Sequence, residues 1–361
     1  MEEVSRRKTR EVAVGRIILG GIHPVAVQSM TNTDTADREA TVAQARALAE
    51  AGAELVRIAL PDRRALAVLP GIREDLAGVP LVGDVHFSPD LAVGALEAGC
   101  DKVRINPGNL QGGKAGLARV VAAARHADAA IRVGVNSGSL DRDLVDAHGG
   151  PTPAALAAAA EREVRRLEAL GFERLVVSIK SSDTLATLRA CRLFAARHDH
   201  PLHLGVTEAG LPGYGEIKTA AGLGGLLLDG IGDTLRVSLS GDPLPEVKAA
   251  YDLLRATGRR ITSPEIIACP TCGRIRIDLA SLVRQVEAMV AGVKAPLRIA
   301  LMGCAVNGPG EAREADIALA GGKGEGLIYR RGKLVRKVPE AEMLAALKEE
   351  IDALAATMEE E

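Results

Sequence analysis

Three cysteines near the end of the chain have the residue types and spacing of a ligand set. Cys269-Pro-Thr-Cys272 is a C-x-x-C pair, and Cys304 follows within Met302-Gly-Cys-Ala-Val-Asn-Gly-Pro-Gly-Glu311. A structural zinc site wants four Cys or His ligands. All seven histidines lie at or before position 203, and the two remaining cysteines, Cys100 and Cys191, fall beside or within helical patterns. Those two read as packed core thiols. The C-terminal stretch therefore offers three thiolates and must complete its set with oxygen. Three cysteines plus an open or oxygen-bound position fit a [4Fe-4S] cluster with one chemically distinct iron. Glu311, on the same Gly-Pro-Gly loop as Cys304, is the obvious oxygen donor. A C-x-x-C alone also fits a zinc knuckle or a thioredoxin-type redox pair. No thioredoxin-like βαβ pattern precedes this one, and the Gly-rich setting of Cys304 favours the cluster. Glycines 303, 308 and 310 would let backbone approach cluster sulfides; a tight turn is their plain alternative, and helix capping is that of Glu311.

A second set of polar residues recurs along the first two thirds of the chain: Gln28 and Asn32; Arg57; Asp84 and His86; Arg104 and Asn106; Asn136; Lys180; Glu208; Arg236 and Ser238. Each group falls at the end of an apolar, β-branched run. The runs are 25–27, 55–58, 81–85, 102–105, 131–135, 175–179, 202–206 and 235–239. Helical patterns alternate with them at 39–50, 65–76, 89–98, 115–127, 153–170, 184–197, 217–228 and 245–257. Ser88-Pro89-Asp90 is a helix-start signal, and Gly99 and Gly171 stand where helices end. Eight strand–helix units of this size predict a (β/α)8 TIM barrel. An open doubly wound sheet is the competitor, but no strand is followed by G-x-G-x-x-G and no Walker sequence is present. Barrel chemistry gathers at the C-terminal ends of the strands. Four cations there, Arg57, Arg104, Lys180 and Arg236, predict a doubly negative or diphosphate-bearing substrate. Internal salt bridges to Asp84 or Glu208 are the alternative for individual members.

Composition narrows the classes. The chain has 361 residues, 45 Lys plus Arg against 47 Asp plus Glu, and a net charge of −2. Neither a nucleic-acid-coating nor a polybasic membrane protein fits that balance. Three Tyr, three Phe and no Trp make a base-stacking platform a poor reading. No window is long and apolar enough for a membrane span. The N-terminus, MEEVSRRKTREVAVG, lacks an apolar signal core, and no hydrophobic stretch follows Arg6-Arg7. A cytoplasmic protein is expected, where clustered Cys means metal or redox chemistry; the odd count of five is no disulfide framework. The pattern changes near residue 258. We expect a barrel domain over 1–258 and a smaller α+β iron–sulfur domain over 259–361. The latter has helices at 279–291 and 340–358 and strands at 297–301 and 327–329.

Motifs along the whole chain resemble one family. They are Gln28-Ser-Met-Thr-Asn-Thr33, Gly83-Asp-Val-His-Phe87, Arg104-Ile-Asn-Pro-Gly-Asn109, Gly134-Val-Asn136, Thr207-Glu-Ala-Gly210, Gly230-Ile-Gly-Asp-Thr-Leu-Arg-Val-Ser-Leu239, Ala268-Cys-Pro-Thr-Cys272 and Gly303-Cys-Ala-Val-Asn-Gly-Pro-Gly-Glu-Ala312. Together they resemble the bacterial 4-hydroxy-3-methylbut-2-enyl diphosphate synthases of the non-mevalonate isoprenoid pathway, in their shorter two-domain form. The resemblance implies two-electron reductive ring opening of 2-C-methyl-D-erythritol 2,4-cyclodiphosphate with loss of water. It implies Cys269, Cys272, Cys304 and Glu311 as cluster ligands, and flavodoxin or ferredoxin as electron donor. It also implies a homodimer in which one subunit's cluster domain closes over the other's barrel mouth. On this reading Arg57, Arg104, Lys180 and Arg236, with Asn106, Asn136 and Ser238, hold the diphosphate. Glu311 yields its place on iron to a substrate oxygen, and Glu208 or His86 supplies a proton. The rivals are a pterin- or phosphate-binding barrel transferase with a structural zinc domain, and a non-catalytic iron–sulfur carrier.

Overall fold

The computed structural model describes residues 5–304 and 308–359, the side chains of 308, 309 and 359 excepted. Residues 1–4 of the N-terminal reading and 305–307 of the cysteine-loop motif lie outside the described residues. The chain divides into two compact units, Met1–Arg260 and Ile261–Glu361.

The first unit opens with a hairpin of β1 (Val12–Val14) and β2 (Ile17–Leu19), turning at Gly15 with φ +54°. Eight parallel strands follow: β3 (Ala26–Met30), β4 (Leu55–Ala59), β5 (Leu81–Asp84), β6 (Lys102–Ile105), β7 (Ala130–Asn136), β8 (Leu175–Lys180), β9 (His203–Leu204) and β10 (Thr234–Leu235). The helices are α1 (Arg38–Glu50), α2 (Arg63–Asp75), α3 (Pro89–Glu97), α4 (Gly113–His126), α5 (Arg142–Ala147), α6 (Pro153–Glu168), α7 (Thr184–Ala195), α8 (Tyr214–Leu228) and α9 (Leu244–Ala256). Strand order is β8-β7-β6-β5-β4-β3-β10-β9. A bridge from Val177 to Leu202 closes the ring, giving the expected barrel.

Alternation gives each strand two faces. One parity, including Val27, Val56, Ile58, Val103, Ile131 and Val177, joins the large core shared with the helices. The other parity turns inward. At the strand starts it is apolar: Ala26, Leu55, Val82, Ala130 and Val176 pack on Val12, Val14 and Leu19 of the hairpin, which plugs the barrel floor. Two residues further along it becomes Gln28, Arg57, Asp84, Arg132 and Ser178, all but Arg57 buried. The hairpin is absent from the sequence expectations, although Gly between two β-branched runs signals one.

Helix starts are anchored at the opposite rim. Asp37, Asp62, Ser88, Thr152 and Asp183 accept backbone N–H bonds from the first turns of α1, α2, α3, α6 and α7. Gly99 and Gly171 take φ of +91° and +69° past α3 and α6, as their positions predicted. Strands β9 and β10 are shorter than the predicted 202–206 and 235–239. Arg236 N still donates to Leu204 O at 3.0 Å, and pairing then stops where Gly205 makes room for Lys180. Arg236 and Ser238 consequently sit just beyond β10.

The second unit is a five-stranded mixed sheet in the order β11-β12-β13-β14-β15. Its strands are β11 (Glu265–Ala268), β12 (Arg298–Met302), β13 (Ile317–Gly321), β14 (Glu325–Arg330) and β15 (Lys333–Pro339). The first three run parallel, and the last two pair antiparallel. Leu282 and Val286 of α10 (Leu279–Val290) and Leu347 and Ile351 of α12 (Met343–Glu359) pack on Ile299 and Leu319. The other parity, Ala300 and Ala318, packs on Ala312 and Ala315 of and after α11 (Gly308–Glu314). Strands β11, β13 and β15 and helix α11 are additions to the sequence reading. The Gly-Pro-Gly start of α11 argued for loop, and the mostly exposed, basic β15 lacks an apolar run.

Candidate functional site

The C-terminal end of the barrel holds a cavity of about 460 Å³ whose lining includes His86, Phe87, Arg104, Asn106, Asn136, Ser139, Thr207 and Glu208. Five sequence-selected residues meet there: His86, Arg104, Asn106, Asn136 and Glu208. Arg57, Lys180, Arg236 and Ser238 are not in its wall.

Asp84 ties the cavity to the layer below. Its Oδ2 lies 2.6 Å from Arg57 Nη2 and 3.4 Å from His86 Nε2, and its Oδ1 lies 3.6 Å from Arg104 Nη1. Burial opposes its charge, but Arg57, Arg104 and the His86 hydrogen bond outweigh burial and hold the carboxyl far below its usual range. Arg104 Nη1 rests against the His86 ring, 3.0 Å from Nε2 and 3.1 Å from Nδ1. Burial pulls the Arg104 pKa down to about 10, with Asp84 opposing and Arg57 adding to the fall. In the amide orientation that satisfies both ends, Asn136 Oδ1 accepts from Arg104 Nη2 at 2.9 Å. A Cβ at Gly134 would stand 2.4 Å from Arg104 Nε, so the guanidinium lies across β7 only because residue 134 is glycine. Asn106 Oδ1 accepts from Gly108 N at 3.3 Å, and its Nδ2 donates to Ser139 Oγ at 3.4 Å.

The four expected cations take different places. Arg104 lines the cavity. Arg57 pairs with Asp84, one of the two salt-bridge partners expected. Arg236 is bound instead by Glu246 of α9, with Nε–Oε2 3.1 Å and Nη2–Oε1 3.3 Å. Lys180 is buried without a hydrogen-bond or ion-pair partner among the described residues. Its ammonium pKa is driven well down by burial and by Arg132, Arg57, Arg236 and Arg104. A Cβ at Gly205 would meet Lys180 Nζ at 2.2 Å. Glu208 holds a left-handed φ of +55°, and Lys218 Nζ donates to its carbonyl at 3.0 Å. Strained non-glycine backbone of this kind collects at functional sites.

Three charged residues of this region were missed: Lys102 and Arg132, fully buried inside the barrel, and Glu246. Arg132 and Lys102 were read as parts of apolar strands. Counting back in twos from Asn136 and Arg104 marks both as inward.

In the second unit Cys269 follows the end of β11 and Cys304 lies just past β12; the register pairs Ala268 with Leu301. Gly303 N donates to Cys269 Sγ at 3.3 Å, bringing the two cysteine segments side by side. Arg276 N donates to Gly303 O at 2.9 Å, folding the Cys272 loop back to the same end. Cys272 is exposed and Cys269 and Cys304 are half-buried. Glu311 is exposed in the first turn of α11, where the helix dipole also favours a carboxylate. Among the described residues no three Cys, His, Asp or Glu side chains converge closely enough to clasp a single ion. The donor set nonetheless suits an iron–sulfur cluster, with three accessible thiols and a carboxylate at one end of one sheet. A Cβ at Gly303 would lie 2.9 Å from Ile275, so packing already demands glycine there, while one at Gly310 would meet nothing within 4 Å. None of the five cysteines is in a disulfide. Burial pushes the Cys100 and Cys191 thiols up to about 12, as expected of inert core residues.

Comparison with known proteins adds sequence and fold relatives. Residues 9–251 match the GcpE TIM-barrel domain and residues 265–353 the GcpE protein C-terminal domain. A Nitratidesulfovibrio vulgaris protein, 4-hydroxy-3-methylbut-2-en-1-yl diphosphate synthase (flavodoxin), is 52% identical over 98% of this chain and 91% of its own. The proteins of the same name from Anoxybacillus flavithermus and Bacillus cytotoxicus are 50% and 49% identical. They cover 98% and 100% of this chain, and 97% and 98% of their own. Among solved structures, dihydropteroate synthase from Stenotrophomonas maltophilia aligns with a TM-score of 0.52 at 18% identity, over 69% of this chain and 97% of its own. That likeness shows the barrel alone.

Proposed function

The chain belongs to the GcpE family, and on that premise we propose that its barrel cavity binds 2-C-methyl-D-erythritol 2,4-cyclodiphosphate. The reaction is reductive ring opening and dehydration to (E)-4-hydroxy-3-methylbut-2-enyl diphosphate, and the chain is an oxidoreductase of the non-mevalonate isoprenoid pathway. The cavity carries the site assignment: a polar chamber at the C-terminal ends of the strands, with buried cations beneath it.

The residues take distinct roles in this reading. Arg104, braced by Asp84 and Asn136, offers its guanidinium to a phosphate oxygen, and Asn106 and Asn136 add polar contacts. Lys180 gains its missing counter-charge from the diphosphate. Arg57 and Arg236, held by Asp84 and Glu246, act as fixed positive charge, and Ser238 adds a hydroxyl. His86 and Glu208 stand in the cavity wall, where either can give a proton to the departing oxygen. Cys269, Cys272, Cys304 and Glu311 would hold a [4Fe-4S] cluster, with Glu311 the exchangeable ligand. When bound, such a cluster supplies electrons one at a time and a Lewis-acidic iron. Flavodoxin is the donor in the relatives' name, and flavodoxin or ferredoxin fits this chain. The assembly we expect is a cytoplasmic homodimer.

The test is anaerobic turnover of the cyclic diphosphate with a strong one-electron reductant. Brown protein containing iron and sulfide, and formation of the linear diphosphate, are expected. Stoichiometric zinc without iron, and no conversion, would overturn the reading in favour of a zinc-bearing transferase. Arg104→Ala and Lys180→Ala should each abolish most turnover; unchanged turnover in Arg104→Ala would remove the substrate from this cavity, and in Lys180→Ala would remove the buried ammonium from its binding.

A further inference from the structure

Among the described residues, three that are not glycine hold a left-handed φ: Asp128 at +52°, Glu208 at +55° and Arg331 at +46°. Two of them have ordinary local reasons. Asp128 follows the C-cap of α4, where helices commonly end on a left-handed residue. Arg331 and Gly332, at +46° and +78°, make the tight turn between β14 and β15. Glu208 has neither reason. It lies between β9 and α8, ends no helix, turns no hairpin, and has its side chain in the cavity wall. A residue with a β-carbon is strained in this conformation and keeps it only where the surroundings over-determine it.

The surroundings here can be named. Just before the strained residue, Thr207 N donates to Ser181 O at 3.3 Å; just after it, Ser240 N donates to Gly210 O at 2.9 Å. Between these tethers the Glu208 backbone makes one hydrogen bond among the described residues. Its carbonyl accepts from Lys218 Nζ at 3.0 Å. Lys218 is the fifth residue of α8, close to the helix end where the backbone favours anions over cations. Glu216, the nearby acid, is turned the other way and accepts from Gly213 N at 3.2 Å. Ordering a long lysine stem costs side-chain entropy, and here the whole of that ordering serves one carbonyl. A bond from an ammonium is charge-assisted and stronger than one between neutral groups.

We propose that Lys218 is a positioning residue. Its ammonium fixes the Glu208 peptide in the left-handed conformation, and so fixes the direction from which the Glu208 carboxyl enters the cavity. The proposal rests on the reading of this cavity as the substrate site, with Glu208 acting there in proton transfer. Lys218 itself is not in the cavity wall and acts only through Glu208. Proton transfer depends steeply on the placement of the donor. The diphosphate is held by other residues, so losing the tether should slow the reaction without weakening binding.

Lys218→Met in the holoenzyme keeps the stem and removes the donor. It should lower kcat for the cyclic diphosphate about 10- to 100-fold while KM stays within about twofold. Lys218→Arg, which keeps a cationic donor, should recover most of the loss. Glu208→Gln supplies the reference: adding Lys218→Met to it should cost nothing further, because the group being positioned is already disabled. Crystals of Lys218→Met should show the Glu208 carbonyl turned away from α8 and its φ out of the left-handed region. An unchanged kcat, a rise in KM in its place, a loss that multiplies with that of Glu208→Gln, or an unmoved Glu208 peptide would each overturn the proposal. So would a lowered melting temperature with a loss that Lys218→Arg does not rescue, which would make Lys218 a structural residue only. Wild-type turnover by Glu208→Gln would instead overturn the role of Glu208, and the proposal with it.

Discussion

Gly134 and Gly205 lack side chains where Arg104 and Lys180 need the space. Both glycines border the site, and neither is explained by a turn. Gly134→Ala forces the Arg104 guanidinium off β7 and away from Asn136. Overpacking of this kind costs about 1–3 kcal/mol of stability, and losing the aligned guanidinium contact, worth about 1.4 kcal/mol or more, should raise KM for the cyclic diphosphate about 10-fold or more, with far-UV circular dichroism unchanged. Steady-state kinetics on the reduced enzyme check this. At this scale the sequence was partly legible. Polar residues at strand ends announced the chamber, and His86, Arg104, Asn106, Asn136 and Glu208 do share its wall. The partners were not legible: Arg236 meets Glu246 from α9, and Arg132 was hidden inside an apolar run. Which carboxylate neutralises which cation depends on closing the ring.

Among elements, the βα units follow local chemistry closely. Helices α1, α2, α3, α6 and α7 begin on an Asp, Ser or Thr cap, and those of α2, α3 and α7 stand only a few residues past the end of a strand. Ser88 Oγ accepts from Leu91 N at 3.3 Å, and α3 follows directly on the His86–Phe87 segment. Ser88→Ala should lower stability by about 1 kcal/mol, read by denaturant unfolding, and Ser88→Asp should restore it. Elements with weak local signals went unread for physical reasons. The β1–β2 hairpin is only two three-residue strands, stabilised by the barrel floor rather than by itself. Helix α11 starts on Gly-Pro-Gly and is held by alanine packing against β12 and β13.

Across the whole molecule, the two units have separate cores, and the barrel carries its own acid sensitivity. His200 is buried, and burial, with Arg10, His198 and Arg7 adding and Asp199 opposing, brings its pKa down from 6.5 to about 4. Glu168 lies 3.3 Å from its Nε2. Because the folded value is below the unfolded one, the unfolded chain takes up this proton first as pH falls. Stability should therefore be lost between about pH 6.5 and about pH 4 and rise with pH across that window. Melting temperatures over that range should show the slope, and His200→Gln should flatten it. Composition and strand–helix alternation by themselves determined the barrel and a polar rim at its strand ends, and cysteine spacing gave the second unit a donor set that suits an iron–sulfur cluster. These depend on local periodicity and on residue chemistry, which the linear chain carries. Only the tertiary structure decided that the interior beneath that rim is itself cationic, which cations are neutralised, and that glycines on neighbouring strands make room for them. Those facts depend on which residues of distant strands share a layer, and that is settled only when the eight strands close.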